Sequence, residues 1–172
     1  MARSSLKRYK GTFYLDNNIV LRSIADGNSS RLSKLLGRKS PGLQPQDLVR
    51  PLLEAVRLGQ EKCVKDLLNA KADPNGALED GKTPLYLLVE VGGAKPVILR
   101  HLLEAGADPN KKTGAQQWTP LHMAAKRGYQ VCLKALLTAG AWVDCPDSHN
   151  NTPLMVAANH GHETLVRTLL LE

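Results

Sequence analysis

The chain has 172 residues, which is enough for one compact domain or one short array of repeats. It contains one Phe, four Tyr and two Trp, so its core must be built from Leu, Val and Ala, as in packed helices. No apolar run is long enough to cross a membrane, and the basic start lacks the apolar region of a secretory signal. We therefore expect no membrane insertion and an intracellular chain, in the cytoplasm, the nucleus or both.

The net charge of +7 comes from the N-terminal end, because residues 1–40 hold nine Lys or Arg and two Asp, while the remaining residues balance. We treat residues 1–17 as a separate basic segment. Such a segment is either a solvated terminus or a contact for nucleic acid, an acidic partner or anionic lipid. Nucleic-acid association stays open as an alternative through four of its side chains: Arg3, Lys7, Arg8 and Lys10.

The three cysteines are an odd number without a secretory signal, which argues against a disulfide framework and for a reducing compartment. Cys63 and Cys132 share one helical register and are expected in the core. Cys145 falls in a connecting segment and is expected to be exposed. No Cys or His pair has zinc-ligand spacing, so no metal or other cofactor is predicted.

Residues 18–42 keep a helix, glycine and helix spacing around Gly27, and they end in a leucine pair, but they lack a Thr-Pro start. A terminal cap of a repeat array departs from its consensus in this way, because its outer face meets water.

The rest of the chain is periodic. A proline recurs at intervals of 33, 36 and 33 residues, a glycine follows eight residues after each proline, and a leucine pair closes each unit. Proline suits the first turn of a helix, a preceding threonine caps it, and the glycine ends it. Each unit is therefore two short helices followed by an extended finger. The repeating prolines are Pro51, Pro84, Pro120 and Pro153.

The last unit ends in a second helix whose Leu165, Val166, Leu169 and Leu170 are expected to face inward. No polar cover for this helix is obvious, so either the last helix is itself the cap or, as we expect, the chain is a piece of a longer array.

The segment Thr119–Ala125, followed by Gly128, resembles the signature of the ankyrin repeat. The resemblance extends over residues 18–172 and implies an all-α repeat solenoid of stacked helix–turn–helix units with β-hairpin fingers. The predicted units are approximately 18–42, 43–75, 76–110, 111–144 and 145–172. Arg50 replaces the threonine of the second unit, and the third unit is lengthened near residues 93–96. The resemblance also raises hydroxylation of Asn75 or Asn110, although Pro74 and Pro109 depart from the usual neighbours.

The histidines do not predict a catalytic centre. In ankyrin-like repeats the histidine at position 122 braces neighbouring turns through hydrogen bonds, and Tyr86 and Met155 occupy that position in other units. His149, His160 and His162 cluster only loosely. No phosphate-binding glycine loop, nucleophile elbow or carboxylate pair is present, so we predict a chain that is not an enzyme.

The resemblance places partner binding on the concave face, at the finger tips and at the exposed ends of the first helices. Trp118 stands out, because an exposed tryptophan beside two cations is typical of an interaction hot spot; the alternative is that its ring packs on the adjacent finger. The predicted partner-binding residues are Arg57, Glu79, Asp80, Lys82, Glu90, Gln116, Gln117, Trp118, Lys126, Arg127, His149, Asn151, Asn159 and His160.

The sequence thus predicts a monomeric, non-catalytic adaptor or scaffold that binds a protein or peptide segment by rigid display of side chains. A second hypothesis makes it the substrate-recognition part of a larger regulatory complex, such as a ubiquitin ligase. The third is the nucleic-acid association described above.

Overall fold

The computed structural model describes residues 8–9, 12–13, 17–37, 45–92 and 95–172. These residues form five pairs of antiparallel helices, each pair being one repeat unit. The helices are α1 (Asn17–Ala25), α2 (Ser29–Gly37), α3 (Val49–Leu58), α4 (Glu61–Asn69), α5 (Pro84–Gly92), α6 (Pro96–Glu104), α7 (Pro120–Arg127), α8 (Gln130–Thr138), α9 (Pro153–Asn159) and α10 (Glu163–Leu169). A 3-10 turn, Pro45–Leu48, leads directly into α3.

Two short strands lie in the basic segment: β1 (Arg8–Tyr9) pairs antiparallel with β2 (Thr12–Phe13). The other residues of that segment, Arg3, Lys7 and Lys10 among them, lie outside the described residues, as does the side chain of Arg8. The nucleic-acid hypothesis therefore stays a prediction.

The start and stop signals act as the sequence predicts. The Thr119 and Thr152 side chains accept hydrogen bonds from the backbone N–H three residues later, and proline occupies the first turn of both helices. Gly59 and Gly128 end α3 and α7 in the left-handed conformation, with φ of 67° and 72°. Each first helix is thereby limited to about two turns, and the chain reverses at once.

The first helices of the units, α1, α3, α5, α7 and α9, pack side by side as an inner layer. The second helices, α2, α4, α6, α8 and α10, form an outer layer in the same order. One continuous aliphatic core lies between the layers, and the leucines that recur in each unit are fully buried in it. These include Leu52, Leu67, Leu85, Leu102, Leu121 and Leu136. The predicted all-helical repeat solenoid is confirmed.

The fingers are linked through asparagine side chains. Asn75 donates to the Gly106 carbonyl (2.9 Å) and accepts from the Asp108 N–H (2.7 Å). Asn110 makes the equivalent bonds one unit later, to Gly140 and Trp142 (3.0 and 2.8 Å). Both amides are thus committed to holding one finger against the next.

Three local expectations differ from the structure. Strand pairing within the described fingers is limited to one bridge, between Thr113 and Trp118, because the fingers are mostly turns. Cys145 is 4% exposed rather than on the surface, since its finger folds back over it. Leu170 is 67% exposed and not inward, because α10 ends at Leu169 and the chain leaves the core there.

Candidate partner-binding surface

The exposed side of α3, α5, α7 and α9, together with the fingers that precede them, forms a continuous face that we call the inner surface. The predicted binding residues lie on it, either on fingers or at the C-terminal ends of these helices. Most of them are exposed, but Lys82, Glu90, Trp118 and Asn151 are partly buried. The inner surface therefore contains side chains free to meet a partner and side chains already used by the fold.

A groove of about 270 Å³ opens on the inner surface between the second and third units. It brings Arg57, Asp80 and Lys82 together, as the repeat phase predicts. It also recruits residues that the prediction missed: Arg50, Leu53, Glu54, Leu78 and Leu87. Leu78 is 46% exposed on the finger, so the groove combines an accessible apolar wall with charged edges.

Several charged side chains in and beside this groove are held in two ion pairs. Arg57 binds Glu54 at 2.6 Å, and Lys82 places its ammonium between the two carboxylate oxygens of Glu90, at 2.7 and 2.9 Å. Hydrogen bonding and attraction from Arg57 lower the pKa of Glu54. The charge of Glu90 is consequently neutralised by Lys82, whereas Arg50 forms no ion pair with any residue that the structure describes.

The fourth and fifth units are joined by a polar cluster around Trp118. The indole Nε1–H donates to Asp147 Oδ2 at 3.0 Å, and the ring stacks on His122 with centroids 6.1 Å apart. The Lys126 ammonium lies 5.1 Å from the indole centroid, within cation–π range. The ring also packs against the core, so Trp118 is partly buried and not the freely exposed side chain that the sequence suggests.

Asp147 organises the tip of the last finger. Its Oδ1 accepts from the backbone N–H groups of His149 and Asn151, both at 2.8 Å, and Oδ2 accepts from Trp118. Burial opposes its charged form, but the hydrogen bonds from Asn151, His149 and Trp118 outweigh burial and hold the pKa of Asp147 well below its usual range. The carboxylate is therefore a fixed internal anion.

His122 is a brace, as the family resemblance implies. The Thr119 N–H donates to Nδ1 at 3.2 Å, so Nε2 carries the hydrogen and donates it to the Asn151 carbonyl at 3.1 Å. The ring is fully buried, and burial lowers its pKa. Neutral His122 thus ties the start of α7 to the next finger.

Of the other four histidines, His101 lies on α6 and three lie in the fifth unit. His160 and His162 stack with centroids 6.3 Å apart, His160 Nδ1 bonds to the Val156 carbonyl, and His162 Nε2 bonds to the Lys126 carbonyl. His149 lies on the finger, with its N–H on Asp147. Within the described residues no group of three or more His, Cys, Asp or Glu is arranged to hold a metal ion.

The cysteines are buried and unoxidised. Burial raises the pKa of Cys63 and, to about 11, that of Cys132, so neither is a ready thiolate.

The structure assembles features that sequence reasoning could find only in part. The sequence offers a reason to single out Arg50, since it stands where other units have a cap threonine. It offers no reason to place Leu78 or Leu87 in a binding groove, because an aliphatic residue in a repeat unit is normally assigned to the core. The role of Asp147 depends on contacts across units with Trp118, 29 residues away.

In the described part of the chain, no helix combines the length and apolar character needed to cross a membrane. The fold and its inner surface define a repeat-built, protein-interaction module.

Comparison with known proteins leads to the same class. Residues 94–172 match the family model described as "Ankyrin repeats (3 copies)", and residues 50–77 match "Ankyrin repeat". Cyclin-dependent kinase 4 inhibitor B of Rattus norvegicus is 36% identical over 118 residues, covering 69% of this chain and 88% of that protein. Human neurogenic locus notch homolog protein 4 is 35% identical over 139 residues, covering 72% of this chain and 7% of that protein.

Human ankyrin repeat and SOCS box protein 16 is 40% identical over 106 residues, covering 62% of this chain and 23% of that protein. The chain belongs to the ankyrin-repeat family.

Proposed function

We propose that this chain is a non-catalytic adaptor that binds a protein partner across its inner surface, with the groove between the second and third units as the main anchor. The observation that carries the proposal is the groove itself. Its apolar wall consists of the exposed Leu78, the partly buried Leu87 and the buried Leu53. Beside Arg50 and Asp80 this wall gives the mixed apolar and charged lining from which binding hot spots are built.

The partner proposed is a protein kinase of the cyclin-dependent class. Support comes from the rat relative, whose name gives cyclin-dependent kinase 4 as its target and which this chain matches over 88% of its length. Binding needs no chemistry from the chain: a rigid array presents side chains in a fixed arrangement, so little conformational entropy is lost on association.

The proposal is tested by titrating purified cyclin-dependent kinase 4 with this chain and with a Leu78→Glu variant. Leu78 is 46% exposed, so the substitution leaves the core intact but puts a charge into the groove. We expect the kinase affinity to fall by about tenfold or more. Val131→Glu is the matched control, because Val131 is an exposed aliphatic residue of the outer helix α8.

Equal affinities of wild type and Leu78→Glu would contradict the groove as anchor. Absence of kinase binding by the wild-type chain would remove the proposed partner.

A second candidate is substrate recognition within a larger regulatory complex such as a ubiquitin ligase. The match to the ankyrin repeat and SOCS box protein favours it. Capture experiments would support this candidate over the kinase if the wild-type chain recovers ligase subunits together with a substrate, and the Leu78→Glu variant loses only the substrate.

We further propose a monomer that works inside the cell, in the cytoplasm, the nucleus or both. The three cysteines are buried and form no disulfide, which is consistent with a reducing compartment. Nucleic-acid association through Arg3, Lys7, Arg8 and Lys10 remains an alternative, for which a steep loss of affinity with salt is the expected signature.

A further inference from the structure

The inner surface of the fourth and fifth units carries positive charge without a matching carboxylate. Lys126 and Arg127 are the last two residues of α7, both are exposed, and neither forms an ion pair with any described residue. The acidic residue at the corresponding place of the preceding unit, Glu90, has both carboxylate oxygens on Lys82. The charge of α7 is therefore directed to solvent.

Two of the four acidic residues of these units are committed to other groups. Asp147 is buried, with its oxygens taken by His149, Asn151 and Trp118. Glu163 pairs with Arg167 on the outer helix α10, at 2.6 Å. The other two, Asp144 and Glu172, are exposed and form no ion pair with Lys126, Arg127 or any other described residue.

Trp118 fixes one of the two cations. The Lys126 ammonium lies 5.1 Å from the indole centroid, and the indole is itself held by Asp147 and stacked on His122. A lysine in solvent samples many rotamers, whereas this one has a preferred site over an aromatic ring. The indole consequently positions Lys126, and the ammonium, not the aromatic face, is offered to a ligand.

An apolar contact lies on the adjoining inner helix. Met155 on α9 is 50% exposed, α9 packs directly against α7, and Met155 occupies the place that the buried His122 fills on α7. The neighbouring polar residues Asn159 and His160 carry no carboxylate, so they add no repulsion toward an anion. The patch thus combines two cations with one flexible aliphatic side chain.

We propose that this patch, Lys126, Arg127 and Met155, binds an acidic segment of the protein partner, in which Asp or Glu side chains flank an aliphatic one, and that Trp118 is its positioning residue. The inference rests on the proposed function, since it assigns the chemistry of one part of the partner. Charge complementarity selects the occupant: carboxylates meet exposed cations that have no internal counter-ion.

The first experiment uses a fluorescein-labelled peptide of alternating Glu and Leu and the same peptide with Gln in place of Glu. We expect the wild-type chain to bind the Glu peptide and not the Gln peptide. Lys126→Glu should weaken binding of the Glu peptide by about tenfold, and salt should weaken the wild-type complex. Lys134→Glu makes the same charge change on the outer helix α8 and should change the affinity by less than about twofold.

Equal losses for Lys126→Glu and Lys134→Glu would overturn the proposal, because binding would then follow net charge and not a site. Failure of the wild-type chain to bind the Glu peptide would overturn it as well.

The role of Trp118 is tested by a double-mutant cycle with Lys126. Trp118→Leu should weaken binding of the Glu peptide in the wild-type background and have almost no effect on it in the Lys126→Gln background. Trp118→Phe keeps an aromatic ring and should retain part of the affinity that Trp118→Leu loses. Thermal melts of each variant verify folding. An equal effect of Trp118→Leu in both backgrounds would refute positioning.

The kinase titration separates this inference from the proposed function. If the chain binds the kinase and Lys126→Glu does not weaken this binding, the assignment of the acidic-segment site is wrong while the proposed function stands. If the Glu peptide behaves as expected but the kinase does not bind, the site stands and the proposed partner is wrong.

Discussion

Replacing His122 by alanine tests the inter-unit brace on which the fourth and fifth units depend. The imidazole is fully buried and connects the Thr119 N–H at 3.2 Å to the Asn151 carbonyl at 3.1 Å. Alanine leaves the buried Thr119 N–H without its acceptor and opens a cavity beside Trp118, while the Asn151 carbonyl keeps its second donor, the Asp147 N–H. An unsatisfied buried group costs about 1–3 kcal/mol, so the expected loss of unfolding free energy is about 3–5 kcal/mol with the cavity included.

Denaturation by urea, with linear extrapolation to water, measures this loss. Met155→Ala is the matched control, because Met155 occupies the same repeat position in the fifth unit but is 50% exposed. Its cost should stay below about 1 kcal/mol. Equal costs for the two variants would refute the brace.

The same variant makes a pH prediction. Burial lowers the pKa of His122 in the folded chain, so below about pH 6.5 the unfolded chain binds this proton more readily than the folded one. Stability from this group is therefore complete above that pH and is lost as the pH falls toward the folded-state pKa, at up to about 1.4 kcal/mol per pH unit. Urea titrations from neutral to mildly acidic pH should show a shallower dependence in His122→Ala, and an unchanged slope would contradict neutral burial.

Three further perturbations address the core, a turn and the last finger. Leu136→Ala should cost about 2–5 kcal/mol in a chemical melt, because Leu136 is fully buried between the layers, and a cost under about 1 kcal/mol would show that the core register is wrong. Gly128→Ala should destabilise the chain more than Gly140→Ala. Both glycines have positive φ, which costs about 1–2 kcal/mol for alanine. Only at Gly128 does the new Cβ also meet a side chain, because it would lie 2.8 Å from His162 Nδ1. If His162→Ala does not reduce the excess cost at Gly128, that contact is not its cause. Asp147→Asn should lower the melting temperature at neutral pH and remove part of the wild-type loss of stability below about pH 4. Because the pKa of Asp147 is lowered in the folded chain, its contribution to stability is complete above that pH and is lost as the pH falls further. Identical dependence of stability on acidic pH in wild type and variant would contradict this.

The fold was predictable from sequence because each marker acts locally. A Thr-Pro pair starts a helix through its own backbone geometry, Gly128 ends one through its positive φ, and the leucine pairs need only helical spacing to reach the core. Leu170 shows the limit of this reasoning. It follows the pattern of the earlier leucine pairs, but α10 ends one residue before it, and its side chain is 67% exposed.

The sequence predicted where the candidate site residues lie but not which of their charges are already paired. Repeat phase placed Lys82, Glu90 and Lys126 on the inner surface. Phase does not tell which charges neutralise each other, because Lys82 and Glu90 are eight residues apart and meet only through the fold of the third unit.

The sequence by itself therefore determined the repeat, the helix boundaries and the side of the array on which variable residues lie, because these depend on interactions a few residues apart. Only the tertiary structure decided that Trp118 is anchored by Asp147, that Glu90 is already paired and that Lys126 lies over the indole without an ion pair to any described residue. The physical reason is that ion pairs, stacking and burial depend on distances between neighbouring units, and those distances exist only once the units are packed.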